Sequence, residues 1–377
     1  MKETMAMGDV TRAIRMGMVG GGVDAFIGNV HRVASRLDES MTLVAGALSS
    51  TPERSVASGL SLGLDEDRCY ATWQDMLTCE AARAADERIE VVVIVTPNHV
   101  HFPVAKAALE AGFHVVCDKP MVCTIDESNA LVAAQQASGR VFAVTYNYTG
   151  YPMVKQMRAM VRSGEIGSVR KVMVEYLQGW LATPLEQTGQ KQAAWRSDPT
   201  KAGAGAIGDI GSHAENIMAY VTGLELSSVN ADVATLVPGR VLDDDVSALL
   251  RFENGATGVL AISQVCPGCR NGLRLRVWGE TGGLEWAQES PNALLQTSLD
   301  GPDIVHRLGD AGLCDTAGSR LPGGHPEGFI EAFAALYKSV AAAIHAGRDD
   351  GDEFDYPDVH AGARGVQFIA GVISDRA

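Results

Sequence analysis

A lysine, an aspartate and a histidine are the residues of this 377-residue chain best suited to chemistry. Val115-Val116-Cys117-Asp118-Lys119-Pro120 reads as a short apolar strand that ends in a charged pair and is stopped by proline. Ligands of open α/β sheets collect beyond the carboxyl ends of the strands, so Lys119 would project into a site there. In Gly208-Asp209-Ile210-Gly211-Ser212-His213, the start of a helix reaching about Val221, Asp209 and His213 stand at i and i+4 on one helical face. A capping aspartate with an unrelated surface histidine has the same spacing, so spacing alone leaves both readings open. As residue types the three suit oxidation of a secondary alcohol. An imidazole with a reference pKa of about 6.5 takes or relays the hydroxyl proton near neutral pH. A lysine cation stabilises developing alkoxide and orients its oxygen, or serves as the base if burial lowers its pKa. Asp209 would orient His213 or a substrate hydroxyl. The sequence does not decide whether Lys119 or His213 is the formal base.

The elements that must position these groups begin with a strand at Arg15–Val19, followed by Gly20-Gly21-Gly22-Val23-Asp24-Ala25. This is a G-x-G-x-x-A pattern. Gly20 allows the tight turn, Gly22 lets backbone approach a pyrophosphate, and Ala25 is small enough for helix–strand contact. A helix over roughly Ala25–Arg36 would aim its first N–H groups at the phosphates. The second strand, Thr42–Leu48, runs into Ser49-Ser50-Thr51-Pro52-Glu53-Arg54, with no acid at the strand tip where NAD-specific sites place one. Ser49, Ser50 and Arg54 could hold a 2′-phosphate, or the serines cap the next helix. The balance leans to NADP, with NAD open. The β-branched run Glu90–Val95 fits a strand covered on both faces, and it ends in Thr96-Pro97-Asn98, a loop suited to touching the dinucleotide. A helix (Val100–Ala111), the Lys119 strand, a helix (Asp126–Ser138) and a strand (Val141–Thr145) ending at Asn147 and Tyr148 complete a doubly wound parallel sheet. Asp118 and Asn147, at strand ends, join the cofactor-binding candidates.

After Gly150 the pattern changes. A helix (Pro152–Ser163) precedes a long strand (Val169–Gln178), and Asp245–Phe252, Ala256–Gln264 and Leu273–Trp278 alternate in period two. Asn254-Gly255 predicts a type I′ hairpin. The fold class is therefore α/β: a Rossmann domain over residues 1–147, then an α+β domain over 148–377 with a large, mostly antiparallel open sheet. Two long segments, Trp180–Gly205 with Trp195-Arg196 and Gly309–Gly324, lack periodicity and suit a functional role. Helices over Glu327–Ala346 and Pro357–Ser374 close the chain.

The net charge of −15 argues against nucleic acid. Seven cysteines, an odd number scattered through a large chain, fit free thiols in a reducing compartment. Cys266-Pro267-Gly268-Cys269 has no second pair and no histidine run nearby, so free thiols are preferred there over a zinc or redox site; no metal is expected. Residues 1–14 lack the apolar core of a secretory signal, and no stretch approaches the ~18 apolar residues that span a bilayer. No membrane partner is expected, and the location is read as cytoplasmic.

The glycine turn, Thr96-Pro97-Asn98, Asp118-Lys119-Pro120, Trp195-Arg196 and Gly208–His213 together resemble, in order, the Gfo/Idh/MocA oxidoreductase family, over about residues 14–300. The family commonly has Glu-Lys-Pro where this chain has Asp118-Lys119-Pro120. The resemblance implies an NAD(P)-dependent dehydrogenase of a sugar, cyclitol or related glycoside, with Lys119, Asp209 and His213 as its catalytic set. It also implies a homodimer or homotetramer formed through the second sheet. Tyr148, Trp180 and Trp195 could present flat faces to a sugar ring, with Gln178, Arg196 and His325 as hydrogen-bonding groups. Trp195 and Arg196 could also reach the cofactor. The alternatives are a sugar oxidoreductase that keeps its NADP bound and a regulator that binds dinucleotide without turnover. Ser49→Asp is expected to move the ratio of NAD to NADP efficiencies towards NAD, measured as kcat/KM with each cofactor; an unmoved ratio would remove Ser49 from the cofactor site.

Overall fold

A computed structural model describes residues 12–374; most of the segment read as carrying no secretory signal lies outside them. Five parallel strands, β1 (Ile14–Gly20), β2 (Met41–Ala47), β3 (Val91–Val95), β4 (His114–Cys117) and β5 (Phe142–Val144), form one sheet in the order β2-β1-β3-β4-β5. All five residues of β3 are buried aliphatics, as a strand covered on both faces requires. The strand order reverses between β1 and β3, whose register pairs Gly20 with Val95. A crevice opens at such a reversal beyond the carboxyl ends of the strands. Lys119 follows β4 on that same edge.

The second sheet has eight strands: β6 (Lys171–Leu177), β7 (Leu226–Ala234), β8 (Asp245–Phe252), β9 (Thr257–Ser263), β10 (Gly272–Trp278), β11 (Gly282–Ala287), β12 (Ala293–Ser298) and β13 (Ile304–Arg307). Their order is β13-β12-β11-β10-β6-β9-β8-β7, antiparallel throughout except for the parallel β6–β9 pair. In β6, β8 and β10 every second residue is buried. That face packs with residues of the helices Pro152–Arg162 and Ser212–Thr222 in one apolar core.

Two local expectations change. The Asn254-Gly255 turn is not type I′, which needs positive φ at both central residues. Gly255 alone takes it, at +86°. Its N–H donates to Phe252 O at 2.9 Å and the Asn254 side chain accepts from Ala256 N at 3.0 Å, giving a three-residue loop Glu253–Gly255. Helix Phe329–Ala346 is, by length and composition alone, long and apolar enough to cross a membrane, contrary to the expectation that no stretch is. Here its Phe333, Leu336, Tyr337 and Val340 pack with Met16, Met18, Val30 and Ala34, as in the core helix of a globular fold.

The segment carrying Asp209 and His213 starts as a π-helical turn, Ile207–Gly211, and continues as the α-helix Ser212–Thr222. Helix starts leave N–H groups without intrahelical acceptors. Here the buried Asp243 carboxylate accepts from Gly205 N and Ile207 N, both at 2.8 Å, and its main-chain carbonyl accepts from Ala206 N at 2.9 Å. A side chain at Gly205 would collide with that carbonyl, so glycine is required there. Asp243→Ala strands two buried donors and is expected to cost about 2–4 kcal/mol of unfolding free energy, read from urea midpoints; an unchanged midpoint would show that Asp243 does not anchor the helix.

Candidate functional site

The glycine turn has the shape a pyrophosphate needs. Gly20 and Gly21 take φ of +78° and +69°, and a side chain at Gly20 would collide with Val95 O. Gly22 N donates to Leu48 O at 3.1 Å, and a Cβ there would lie 2.8 Å from the same oxygen. A tight helix–turn contact not read from the sequence lies at Gly28, where a Cβ would collide with Gly21. Ala25 is the N-cap of helix Phe26–Leu37 without a side-chain cap bond, and the first turn carries no acid. Its leading N–H groups are thus left for an anion. Thr96 Oγ1 and Asn147 Nδ2 are buried without a hydrogen-bond partner, as groups awaiting a polar ligand would be. These features fit a dinucleotide.

The other candidates at this edge divide. Val23 is exposed beside the turn. Ser49 Oγ accepts from Thr51 N at 3.1 Å, and Ser50 is exposed. Arg54 pairs at 3.0 Å with Asp24, both on the surface. Pro97 precedes a short 3₁₀ turn in which Asn98, buried, donates to Ala202 O at 3.0 Å. Asp118, expected at the cofactor, spends its carboxylate inside the fold. It accepts from Thr145 Oγ1 at 2.5 Å and lies 3.4 Å from His31 Nε2, whose Nδ1 lies 2.6 Å from the Tyr337 hydroxyl. Burial pushes this carboxyl up, but His31 and the Thr145 hydroxyl outweigh it and hold it well below the usual range.

Lys119, Asp209 and His213 come together from the two sheets' halves of the chain. Lys119 Nζ donates to Asp209 Oδ1 at 2.8 Å and to the Asp209 main-chain carbonyl, and each side chain is 17% exposed. Asp209 Oδ2 accepts from Gln264 Nε2 at 2.9 Å and lies 3.3 Å from Arg196 Nε. Burial works to raise the Asp209 pKa, but the charges of Lys119 and Arg196 outweigh it and keep the group an anion well below the usual carboxylate range.

His213 is held by aromatic packing and not by Asp209. Its ring stands edge-to-face with Tyr148 (centroids 4.8 Å apart) and Tyr146 (5.7 Å), with Tyr176 at 6.3 Å. Asp209 bonds Lys119 and not the imidazole, one of the two groups it was expected to orient, the other being a substrate hydroxyl. Burial and the nearby Lys119 charge press the imidazole pKa well below its ordinary value, so the ring is neutral near pH 7. Its Nδ1 is buried and unpartnered. A neutral imidazole is the form that accepts a proton.

Tyr148 is buried behind that ring. Its hydroxyl lies 2.6 Å from the Tyr176 hydroxyl and accepts from Asn271 Nδ2 at 3.1 Å. Asn271 Oδ1 accepts from Tyr176 OH at 2.6 Å and Gln178 Nε2 at 3.0 Å, and Gln178 Oε1 accepts from Trp180 Nε1 at 2.9 Å. Tyr148 and Gln178 are therefore committed to a wall. Arg196 stacks on Trp195 at 4.3 Å while reaching Asp209, which puts this pair beside the Lys119–Asp209 contact. His325 is exposed and takes no part in these bonds. Gln264, Asn271 and Tyr176 were not among the sequence candidates; their one local signal is position at or just beyond strand ends. Among the described residues, no group of three or more His, Cys, Asp or Glu could hold a metal.

Comparison with known proteins follows the same division. A profile described as an oxidoreductase family with an NAD-binding Rossmann fold matches residues 14–146, and one described as a GFO/IDH/MocA C-terminal domain matches 154–285. An uncharacterised oxidoreductase of Bacillus subtilis, YfiI, is 35% identical over 370 residues, covering 96% of this chain and 94% of that protein. Levoglucosan dehydrogenase of Pseudarthrobacter phenanthrenivorans is 29% identical over 311 residues, or 74% and 75% of the two chains. An inositol dehydrogenase homolog from Azotobacter vinelandii complexed with NAD+ superposes with a TM-score of 0.93 at 36% identity over 97% and 96% of the chains. The same homolog complexed with NADH and myo-inositol gives 0.90 at 36% identity, with the same coverage.

The buried imidazole has a consequence for stability. Unfolded, it titrates at about 6.5; folded, only well below that value. Unfolding between those values takes up a proton, so stability falls as pH drops through the unfolded pKa towards the folded one. In His213→Asn the loss of Tm between about pH 7.5 and about pH 5.5 is expected to be smaller than in the wild type; equal losses would mean that the folded ring is charged.

Proposed function

The chain belongs to the GFO/IDH/MocA oxidoreductase family, and we propose that it is an NAD(P)-dependent dehydrogenase acting on a ring hydroxyl of a sugar or cyclitol. The observation that carries this reading is the Lys119–Asp209 contact at the start of the helix that also carries His213. A bound nicotinamide supplies the hydride acceptor. Lys119, fixed by Asp209, directs an N–H towards the substrate oxygen and stabilises its developing negative charge. His213 Nε2 takes the hydroxyl proton, which makes it the formal base. Arg196 and Gln264 hold Asp209, while the Tyr148–Tyr176–Asn271–Gln178 wall fixes the imidazole plane. With Lys119, Asp209 and His213 all present, and Lys119 paired with Asp209, a regulator without turnover is disfavoured.

Thr96, Asn147 and the uncapped helix Phe26–Leu37 would hold the dinucleotide. The lean to NADP rested on the missing acid at the strand tip and on Ser49, Ser50 and Arg54. That arginine is already paired with Asp24, whose charge opposes a 2′-phosphate, and this favours NAD. We place the nucleotide half at residues 1–147 and the substrate half at 148–377. Met173, Leu177, Val259 and Ala261 sit on the half-exposed face of the second sheet, the face we assign to a homodimer or homotetramer. Free cysteines support a cytoplasmic location.

Lys119→Ala is expected to lower kcat by more than ~100-fold, with NAD(P)H binding retained by fluorescence titration. The substrate is to be found first by screening sugars and cyclitols with both cofactors through reduced-nicotinamide absorbance. Near-normal turnover in the variant would remove Lys119 from the mechanism.

A further inference from the structure

The turn that joins β9 to β10 contains the chain's one C-x-x-C, and the proposed dehydrogenase makes no use of it. Cys269 N donates to Cys266 O at 3.1 Å, Pro267 occupies the second position and Gly268 takes φ of +98° at the third. This is the pattern of a type II β-turn, in which proline presets the second residue and only glycine readily supplies the third. Such a turn brings its first and fourth Cα atoms within about 7 Å, and disulfides span Cα separations of about 4.4–6.8 Å. Cys266 is half-buried and Cys269 exposed, and neither is in a disulfide.

We propose that Cys266 and Cys269 form a reversible intramolecular disulfide, a redox modification site closed by exchange with a low-molecular-weight disulfide RS–SR. The exposed Cys269 thiolate attacks one sulfur of RS–SR, forming Cys269 Sγ–SR and releasing RS⁻. The Cys266 thiolate then attacks Cys269 Sγ; the Sγ–Sγ bond forms, the Cys269 Sγ–SR bond breaks, and a second RS⁻ leaves. The two thiol protons end on the two released thiolates. Two protein thiols are thereby oxidised and one small disulfide is reduced to two thiols. The turn preorganises the second step, while exposure leaves the product open to reduction by a dithiol.

The turn also touches the wall of the candidate site. Cys266 N donates to Gln178 O at 2.9 Å and Gly179 N donates to Cys269 O at 3.0 Å, so both cysteines bind the segment that carries Gln178. Two residues beyond Cys269, Asn271 holds Gln178, Tyr148 and Tyr176 together. Closing the ring stiffens both arms of that wall.

The test treats the whole protein with oxidised glutathione, followed by intact mass and peptide mapping. The expected product has lost two hydrogens and yields a linked Cys266–Cys269 peptide that dithiothreitol reopens. Cys266→Ser is expected to stop at a stable glutathione adduct on Cys269. Glutathione adducts on the wild type that never resolve, or linkage to a different cysteine, would overturn the site. In the oxidised wild type, substrate KM is expected to shift while cofactor KM does not, and Cys269→Ser should remove the shift. This second measurement rests on the proposed dehydrogenase activity, whereas the mass measurement does not. A disulfide that forms without moving substrate KM would refute the link to the wall.

Discussion

One carboxylate, Asp209, holds two cations, and the candidate site depends on that unequal sharing. Lys119 donates to it from the end of β4, while Arg196 approaches from the long segment before the helix that carries Asp209. Exposed ion pairs contribute about 0–1 kcal/mol, and burying one costs desolvation that its attraction only partly returns. The contact is therefore better understood as positioning than as stabilisation. It fixes an ammonium on the edge of the first sheet against a helix from the second half, and leaves one net positive charge in the cluster.

The surrounding structure keeps that charge aimed. Asp118, next to Lys119, has its carboxylate on Thr145 and beside His31, so it does not compete with Asp209 for the ammonium. Asp243 anchors the start of the helix bearing Asp209 and His213. Gln264 fills a further acceptor position on Asp209, and the tyrosines around His213 supply packing where an acid would have supplied charge. An acid against the imidazole would raise its pKa. The aromatic setting keeps the ring neutral and able to accept.

What was legible in the sequence follows rules of short range. Gly20 and Gly22 were readable because tight turns and close backbone approach need glycine, and Lys119 because proline ends a strand visibly. The i, i+4 spacing placed Asp209 and His213 on one face, but could not say that the carboxylate turns to a lysine 90 residues away. The inward partners of Asp118 were unreadable for the same reason, since His31 lies on the helix after β1. Gly28 was overlooked because its contact with Gly21 is a property of how helix and turn meet. Gln264 and Asn271 gain their roles from the register of the second sheet, where β6 pairs with both β9 and β10. Only half of that sheet was read, because β7 and β13 mix exposed and half-buried positions and β11 and β12 bury residues without a clean period of two.

The depressed imidazole pKa raises a question of balance, because a weaker base is a poorer proton acceptor. In the proposed reaction the cation that depresses His213 is also the one that stabilises the alkoxide. Lys119 acts on the substrate oxygen through a direct N–H, whereas the surrounding tyrosines keep its effect on the ring to a through-space charge. Direct, charge-assisted hydrogen bonds are stronger than neutral ones, so Lys119 raises the alcohol's acidity by more than it lowers the ring's basicity. Both pKa values fall, the alcohol's further than the ring's, and the narrower gap favours general base catalysis. Removing the lysine would lift only part of the depression of His213, whose larger cause is burial, and would still slow the reaction because the alkoxide would lose its cation.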